Sequence, residues 1–352
     1  MRNLMLAATA AVLSLAVAGP ALAAPPKDKA PTGCEWREGP VVGEKPTYPL
    51  HCKDASGTVV KADVGTTFVP GVIERAEAGE PRAMGLMAAF YANADPEAVR
   101  DYDVAYQWAL KSAAKGDTTG MYMLAYALQH GFGVTKNPHE AVKWYRKSAE
   151  AGDTFSALAL AIMLLDEKSG VTDQAEGLKW LTRASDGGEV VAHWQLGNLY
   201  HYGYGGVTAD PAKALGLYRL AVKGGYWLAA NDLCVLIIDE YQRTGQGDPG
   251  EALKACHLGV NKGDKRPLFH IGRLHLYGIG VPQDDREAAK WIRRGADNDD
   301  LNAIYFYGMM HIEGRGVPQN REEGIRLLQL AASKGHQGAI ASLKELGVAS
   351  DA

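Results

Sequence analysis

The chain has 352 residues, 47% of them hydrophobic, and a formal net charge of −4 at pH 7. That is ample apolar material for a packed interior, and so small an acidic excess gives no electrostatic reason to expect nucleic acid or a membrane surface as partner. Length alone permits two domains or one long array, and the pattern beyond residue 70 decides for the array.

The first 23 residues read as a secretory signal. Arg2 supplies the positive start, Leu4 to Val17 the short apolar core, and Ala21, Leu22 and Ala23 the small-residue cleavage motif. The apolar run is broken at Gly19 and Pro20 and is too short for a membrane span. No cysteine follows closely enough to carry a lipid anchor. The mature chain is therefore expected in a bacterial periplasm or outside the cell, with no membrane insertion after cleavage. Residues 24–32 are a proline- and lysine-rich linker. Residues 33–70 carry a strand–turn–strand pattern, with Asp54 to Gly57 as the turn. In an oxidising compartment, Cys34 and Cys52 within this small β segment are expected to form a disulfide, the alternative being two unpaired thiols.

From residue 71 to 349 one unit recurs. In the clearest copy, Ala192, Leu196 and Tyr200 mark one face of a first helix, Gly203, Gly205 and Gly206 break it, and Asp210 with Pro211 starts a second helix. Ala214, Leu217, Tyr218 and Ala221 then give an apolar stripe that ends at Gly224 and Gly225. Second-helix ends fall at Gly79, Gly116, Gly152, Gly188, Gly225, Gly263, Asp299 and Gly335, intervals of 36 to 38 residues. Four places after each marker the residue is nearly always small, with Pro267 in one repeat, and eight after it is apolar, from Met87 through Leu124 to Leu343. Eight before stand Trp108, Trp144, Trp180 and Trp291, whose spacing predicts a core column. One hairpin cannot bury its own greasy side, so the copies must stack.

The loop Gly131-Phe132-Gly133-Val134 returns as Gly278-Ile279-Gly280-Val281 and Gly314-Arg315-Gly316-Val317. With the small, aromatic and glycine columns around it, the unit resembles the SEL-one-like repeat (SLR), a relative of the tetratricopeptide repeat. The resemblance covers about residues 71–349 and implies an all-α, right-handed superhelical solenoid of about seven antiparallel helix pairs, with an incomplete helix at each end. The hairpins at 82–117, 154–189 and 227–264 lack the glycine loop. In the last of these, Cys234 stands where other repeats place a close-packing glycine, and Cys256 stands where they place the aromatic after the tryptophan column. Both positions face the partner helix, so a Cys234–Cys256 bridge is expected, with buried free cysteines as the alternative. A loop of that size closed covalently is worth roughly 3 kcal/mol.

Chemistry is hard to find in the sequence. The glycine loops join helix to helix and lack the strand and the Gly-Lys-Ser/Thr ending that a phosphate loop needs. The spacings of His193 with His201 and of His270 with His275 do not match a helical zinc pair. There is no G-x-S-x-G nucleophile, and carboxylates such as Asp284, Asp285, Glu322 and Glu323 sit just ahead of second helices, as caps. No cofactor and no metal are expected.

Tetratricopeptide geometry would turn the fifth, ninth and thirteenth places of each repeat inward, onto the concave face. These are Tyr122, Tyr126 and His130; Trp194, Asn198 and Tyr202, with His201 alongside; Asn231, Val235 and Asp239; Phe269, Arg273 and Tyr277; and Tyr305, Met309 and Glu313. Aromatics and arginine suit recognition, although Trp194, Phe269 and Tyr305 could equally pack between neighbouring helices. The expected function is a non-catalytic scaffold or adaptor that grips a partner protein or peptide. The resemblance also implies two alternatives: an immunity protein against a toxin delivered to the periplasm, such as a secreted phospholipase, and a β-lactamase-like hydrolase.

Overall fold

A computed structural model describes residues 72–93 and 101–348 with their side chains, together with the backbone of five short strands between residues 34 and 61. The strands are β1 (Cys34–Trp36), β2 (Val41–Val42), β3 (Lys45–Pro46), β4 (Leu50–Lys53) and β5 (Val59–Lys61). β4 lies antiparallel between β1 and β5, with Cys34 opposite Cys52, and β2 pairs with β3. The side chains of Cys34 and Cys52 lie outside the described residues, so the predicted disulfide closure of this segment receives no support. The predicted signal and linker lie outside them too.

Sixteen helices follow among the described residues. They are α1 (Val72–Glu77), α2 (Pro81–Asn93), α3 (Tyr102–Ala114), α4 (Thr118–His130), α5 (Pro138–Glu150), α6 (Thr154–Leu165), α7 (Gln174–Asp186) and α8 (Val190–Tyr202). Then come α9 (Pro211–Lys223), α10 (Ala229–Thr244), α11 (Pro249–Asn261), α12 (Pro267–Tyr277), α13 (Asp285–Ala296), α14 (Leu301–Glu313), α15 (Arg321–Ser333) and α16 (Gln337–Glu345). Helices pack as pairs, α2 with α3, α4 with α5, α6 with α7, α10 with α11, α12 with α13 and α14 with α15. The helix α8 meets α9 where Tyr218 donates to Asn198, and α1 and α16 are single helices at the two ends. No described helix is long and apolar enough to cross a membrane.

The chain divides into two compact units between Ala192 and His193. In the first, α2 and α4 touch as neighbouring first helices. Second helices α5 and α7 are tied by Arg146, whose guanidinium donates twice to Glu176 at 2.8 Å. In the second unit α10 and α12 touch in the same way, and α9 and α11 are tied by Arg219 and Glu251 at 2.7–2.8 Å. Each unit thus has a layer of first helices and a layer of second helices.

Local chemistry sets the helix bounds. Asp210, Asp284 and Asn320 accept hydrogen bonds from backbone N–H groups in the first turns of α9, α13 and α15. Glu322 and Glu323 are inside the first turn of α15 rather than ahead of it, where they complement the helix dipole. Each predicted end marker has a positive φ, from Gly79 at 91° to Gly335 at 88°, and Asp299 at 62° is the one non-glycine residue among those described to do so. The second loop glycine answers a different need. A Cβ on Gly316 would stand 2.0 Å from the Asp285 carbonyl oxygen, so the loop of one hairpin rests directly on the second helix of the hairpin before it.

The columns four and eight places after the markers are buried, apart from a half-buried Tyr307. The tryptophan column requires correction. Trp180 is buried, but Trp108, Trp144 and Trp291 are half-buried, and a cation three places on lies over each ring at 4.4–5.1 Å: Lys111, Lys147, Arg183 and Arg294. The core column is one place later. Ala109, Tyr145, Leu181, Tyr218, Cys256, Ile292 and Leu328 are all fully buried against the first helix of their own hairpin. Opposite them stand small residues: a Cβ on Gly197 would meet Tyr218 at 2.8 Å, and one on Gly272 would meet Ile292 at 2.4 Å. Cys234 and Cys256 replace that small-against-large contact with a disulfide, Cα–Cα 5.4 Å, in the hairpin of α10 and α11.

Candidate protein-binding faces

In the first unit Tyr122, Tyr126 and His130 run along α4, and the structure joins them to rings the sequence did not single out. Tyr122 stacks on Tyr126 at 6.3 Å, Tyr126 meets His130 at 4.5 Å, and His130 stacks on Phe132 of the glycine loop at 5.4 Å. Phe132 in turn stacks on Tyr102 at 4.4 Å. All five rings are half-buried. Burial and the Lys136 ammonium hold the His130 imidazole below its ordinary range. Burial pushes the Tyr122 hydroxyl well above its own range. This ledge is built by packing between α3, α4 and the loop.

In the second unit the candidates separate by depth. Trp194 is 5% exposed, packs on Tyr226 at 5.4 Å, and donates its indole N–H to Asp232 at 2.7 Å. Phe269 is 4% exposed and packs on Phe306 of α14 at 5.1 Å. Asn231 is buried beside Asp232. Tyr305 stacks on His336 at 4.7 Å with its hydroxyl 3.4 Å from Ser342 of α16, and Met309 joins the apolar cluster around Ile304. Trp194, Phe269 and Tyr305 thus take the second of the two readings left open for them, packing against the neighbouring first helix. For Asn231, which is buried, and Met309, which is half-buried against an apolar cluster, the inward expectation is corrected. Asn198 is also engaged, accepting from the Tyr218 hydroxyl at 2.7 Å, while His201 Nδ1 lies 3.1 Å from that oxygen.

The thirteenth places and their neighbours remain at the surface. Tyr202 is 52% exposed and Tyr277 48%, and Asp239 and Glu313 are exposed as well. Tyr202 stacks on His201 at 4.3 Å and on Tyr204 at 6.3 Å. Arg273 reaches across from α12 to α10, donating to Gln242 at 2.6 Å and lying 3.4 Å from Asp239. The sequence reading missed Tyr204 and Gln242. Tyr204 sits in the loop, beyond a rule counted along the helix. Gln242 belongs to an extra turn: α10 runs on to Thr244 before Gly245 caps it in the left-handed region, where other first helices stop at the thirteenth place.

Charge follows burial. The Asp232 carboxyl is pushed above the ordinary carboxylate range by burial, against the pull of the Trp194 N–H and Arg266. Burial, together with Arg273, brings His270 down to about 4. Among the described residues no three or more His, Cys, Asp or Glu side chains gather in a way that could hold a metal ion.

Stacked helix hairpins with a small-against-large seam in most pairs, replaced by a disulfide in one, define a helical-repeat protein. The chain belongs to the Sel1 repeat family, whose repeat matches residues 81–117, 118–153, 155–189, 190–226, 268–300 and 301–336. The hairpin it passes over, 227–267, is the one that carries the disulfide and the lengthened α10. Among solved structures the chain is similar to a protective antigen of uropathogenic Escherichia coli displaying an SLR fold, at 23% identity and a TM-score of 0.64. That match covers 78% of this chain and 58% of the other, so this chain spans well under two thirds of that relative. It is also similar to a Sel1 repeat protein from Oxalobacter formigenes, at 26% identity over 78% of each chain, with a TM-score of 0.53. No curated protein matches the sequence.

Proposed function

We propose that the protein is a non-catalytic scaffold of the periplasm or cell exterior that captures a partner protein on the first-helix rim of its second unit. One observation carries this reading. Among the described residues five large hydrophobic side chains are exposed, and three of them, Tyr202, Tyr204 and Tyr277, stand at the C-terminal ends of first helices α8 and α12 or in the loop just beyond. Tyrosine combines large contact area with few rotatable bonds and a polar tip, which suits it to protein recognition. A disulfide buried in the array fits an oxidising compartment, as does the signal-like start of the sequence.

Affinity capture from envelope extract tests the reading, with wild type compared against Tyr202→Ala/Tyr277→Ala. A protein retained by wild type and lost from the variant, with helical content unchanged, supports it. Equal retention by both contradicts it. A secreted toxin as the retained protein would make the scaffold an immunity protein.

A further inference from the structure

We infer that the corner formed by Tyr202, Tyr204 and Asp239 in the second unit seats one cationic side chain, arginine or lysine, of an extended partner segment; the inference rests on the protein-binding reading above. Tyr202 and Asp239 occupy the thirteenth places of adjacent first helices, and α8 and α10 are tied about two turns earlier by the 2.7 Å bond from Trp194 to Asp232. Tyr202 and Tyr204 are stacked on each other, with His201 stacked on Tyr202 at 4.3 Å, so the pair is braced while 52% and 42% of the two residues stay exposed. Cations are drawn to the faces of such rings.

The nearby charges favour a cation. Those bearing on His201 are the carboxylates of Asp232, Asp239 and Glu240, all three acting to raise its pKa against the effect of burial. After burial, Tyr202 responds to Asp232 and Asp239, with Arg266 opposing. Two arginines and the Glu240 partner also face the corner, and each is engaged. Arg266 bonds to Asp264 at 2.7 Å and to the Leu228 carbonyl oxygen at 3.2 Å, and Arg243 pairs with Glu240. Arg273 spends its short bond on Gln242 and keeps only a 3.4 Å contact with Asp239. Its side chain is 17% exposed against 50% for Asp239, so the carboxylate and not the guanidinium is what a partner meets. The extra turn of α10 supplies Gln242, the acceptor that draws Arg273 aside. A carboxylate next to two partly exposed tyrosines offers charge and ring surface to a single guanidinium or ammonium.

The probe is a nine-residue Gly/Ser peptide with one central arginine, alongside versions with lysine, glutamate or leucine. Each is titrated into the full chain carrying 3-fluorotyrosine and read by ¹⁹F NMR, with Tyr202 and Tyr204 resonances assigned from single Phe variants. The arginine and lysine peptides should shift both resonances. Asp239→Asn should weaken that binding at least threefold, Tyr202→Ala should abolish it, and Tyr202→Phe should preserve it. Raising the salt concentration should weaken it. Equal shifts from the glutamate or leucine peptide, no shift from the arginine peptide at 10-fold excess over the millimolar range (~10 mM) expected of a single-residue seat, or Asp239→Asn binding like wild type would each overturn the inference. A rim that captures a protein but shows no preference for the cationic peptide refutes the seat and leaves the scaffold reading standing. Loss of both refutes the scaffold reading as well.

Discussion

Removing the Cys234–Cys256 bridge tests whether it substitutes for the packing seam of the other hairpins. The two cysteines are 22 residues apart and fully buried. Closing a loop of that length lowers the unfolded-state entropy enough to be worth about 3 kcal/mol. Cys234→Ala/Cys256→Ala loses that and also leaves a cavity, because the facing pairs elsewhere include a large member: Tyr145, Leu181, Tyr218, Ile292 and Leu328 are buried at the position Cys256 holds. The double alanine variant should therefore lose roughly 3–5 kcal/mol. Cys234→Ala/Cys256→Leu copies Ala161 and Leu181 of the hairpin of α6 and α7. It should regain about 2 kcal/mol of that loss, since a buried leucine is worth at least this much over alanine. Urea unfolding by circular dichroism gives the overall change, and amide exchange in α10 and α11 shows whether the loss is local. A double alanine variant within about 1 kcal/mol of wild type, or a leucine variant no better than the alanine one, would refute the idea that bridge and seam are interchangeable.

Other outcomes follow from single side chains. Trp194→Ala should cost more than about 3 kcal/mol, from the lost ring and the donor taken from partly buried Asp232, whereas Tyr202→Ala should stay within about 1 kcal/mol in the same urea assay. Asp299→Gly should raise the urea midpoint, because only a left-handed backbone at φ 62° is relieved and the lost contact with Lys334 is an exposed ion pair. Gly316→Ala should be destabilising by more than about 1 kcal/mol, given the positive φ and the Asp285 carbonyl against its Cβ position. For Asp232 the folded pKa is raised, so the folded state binds the proton more tightly than the unfolded state, and burying the anion is a cost at neutral pH. That cost is relieved as pH falls through the raised value toward the unfolded value of about 4. Wild type should thus gain stability relative to Asp232→Asn on going from pH 7 to about 4, and a constant difference would show the carboxyl is not penalised.

The sequence carried the repeat because backbone and packing rules act at fixed spacings. A left-handed residue is needed at each second-helix end, so Asp299 could be recognised as a substitute for glycine before its φ was known. A small residue four places later must fit beneath a neighbouring helix, and Ala303 and Ala339 do. The tryptophan column misled by one place: tryptophan is the largest ring, but a side chain next to a long cation can lie on the surface under it, as Trp144 does under Lys147. The rim was legible only in part. A counting rule picked out Tyr202, Asp239 and Tyr277, which are exposed, yet it cannot tell a first-helix side chain that meets the next first helix, such as Trp194 or Phe269, from one that does not. That distinction depends on how closely adjacent helices approach. Tyr204 and Gln242 depend on a loop path and an extra helical turn in one repeat, which no repeat average contains.

The central claim is that the tyrosine rim of the second unit is the surface that meets a partner protein. Site-specific photocrosslinking in living cells tests it most directly, with p-benzoylphenylalanine placed in turn at Tyr202, Tyr277 and Leu330. Leu330 is also exposed but lies on a second helix, α15. The same discrete protein adduct should form from the two rim positions and not from position 330. Adducts from position 330 alone, or none from the rim, would contradict the claim.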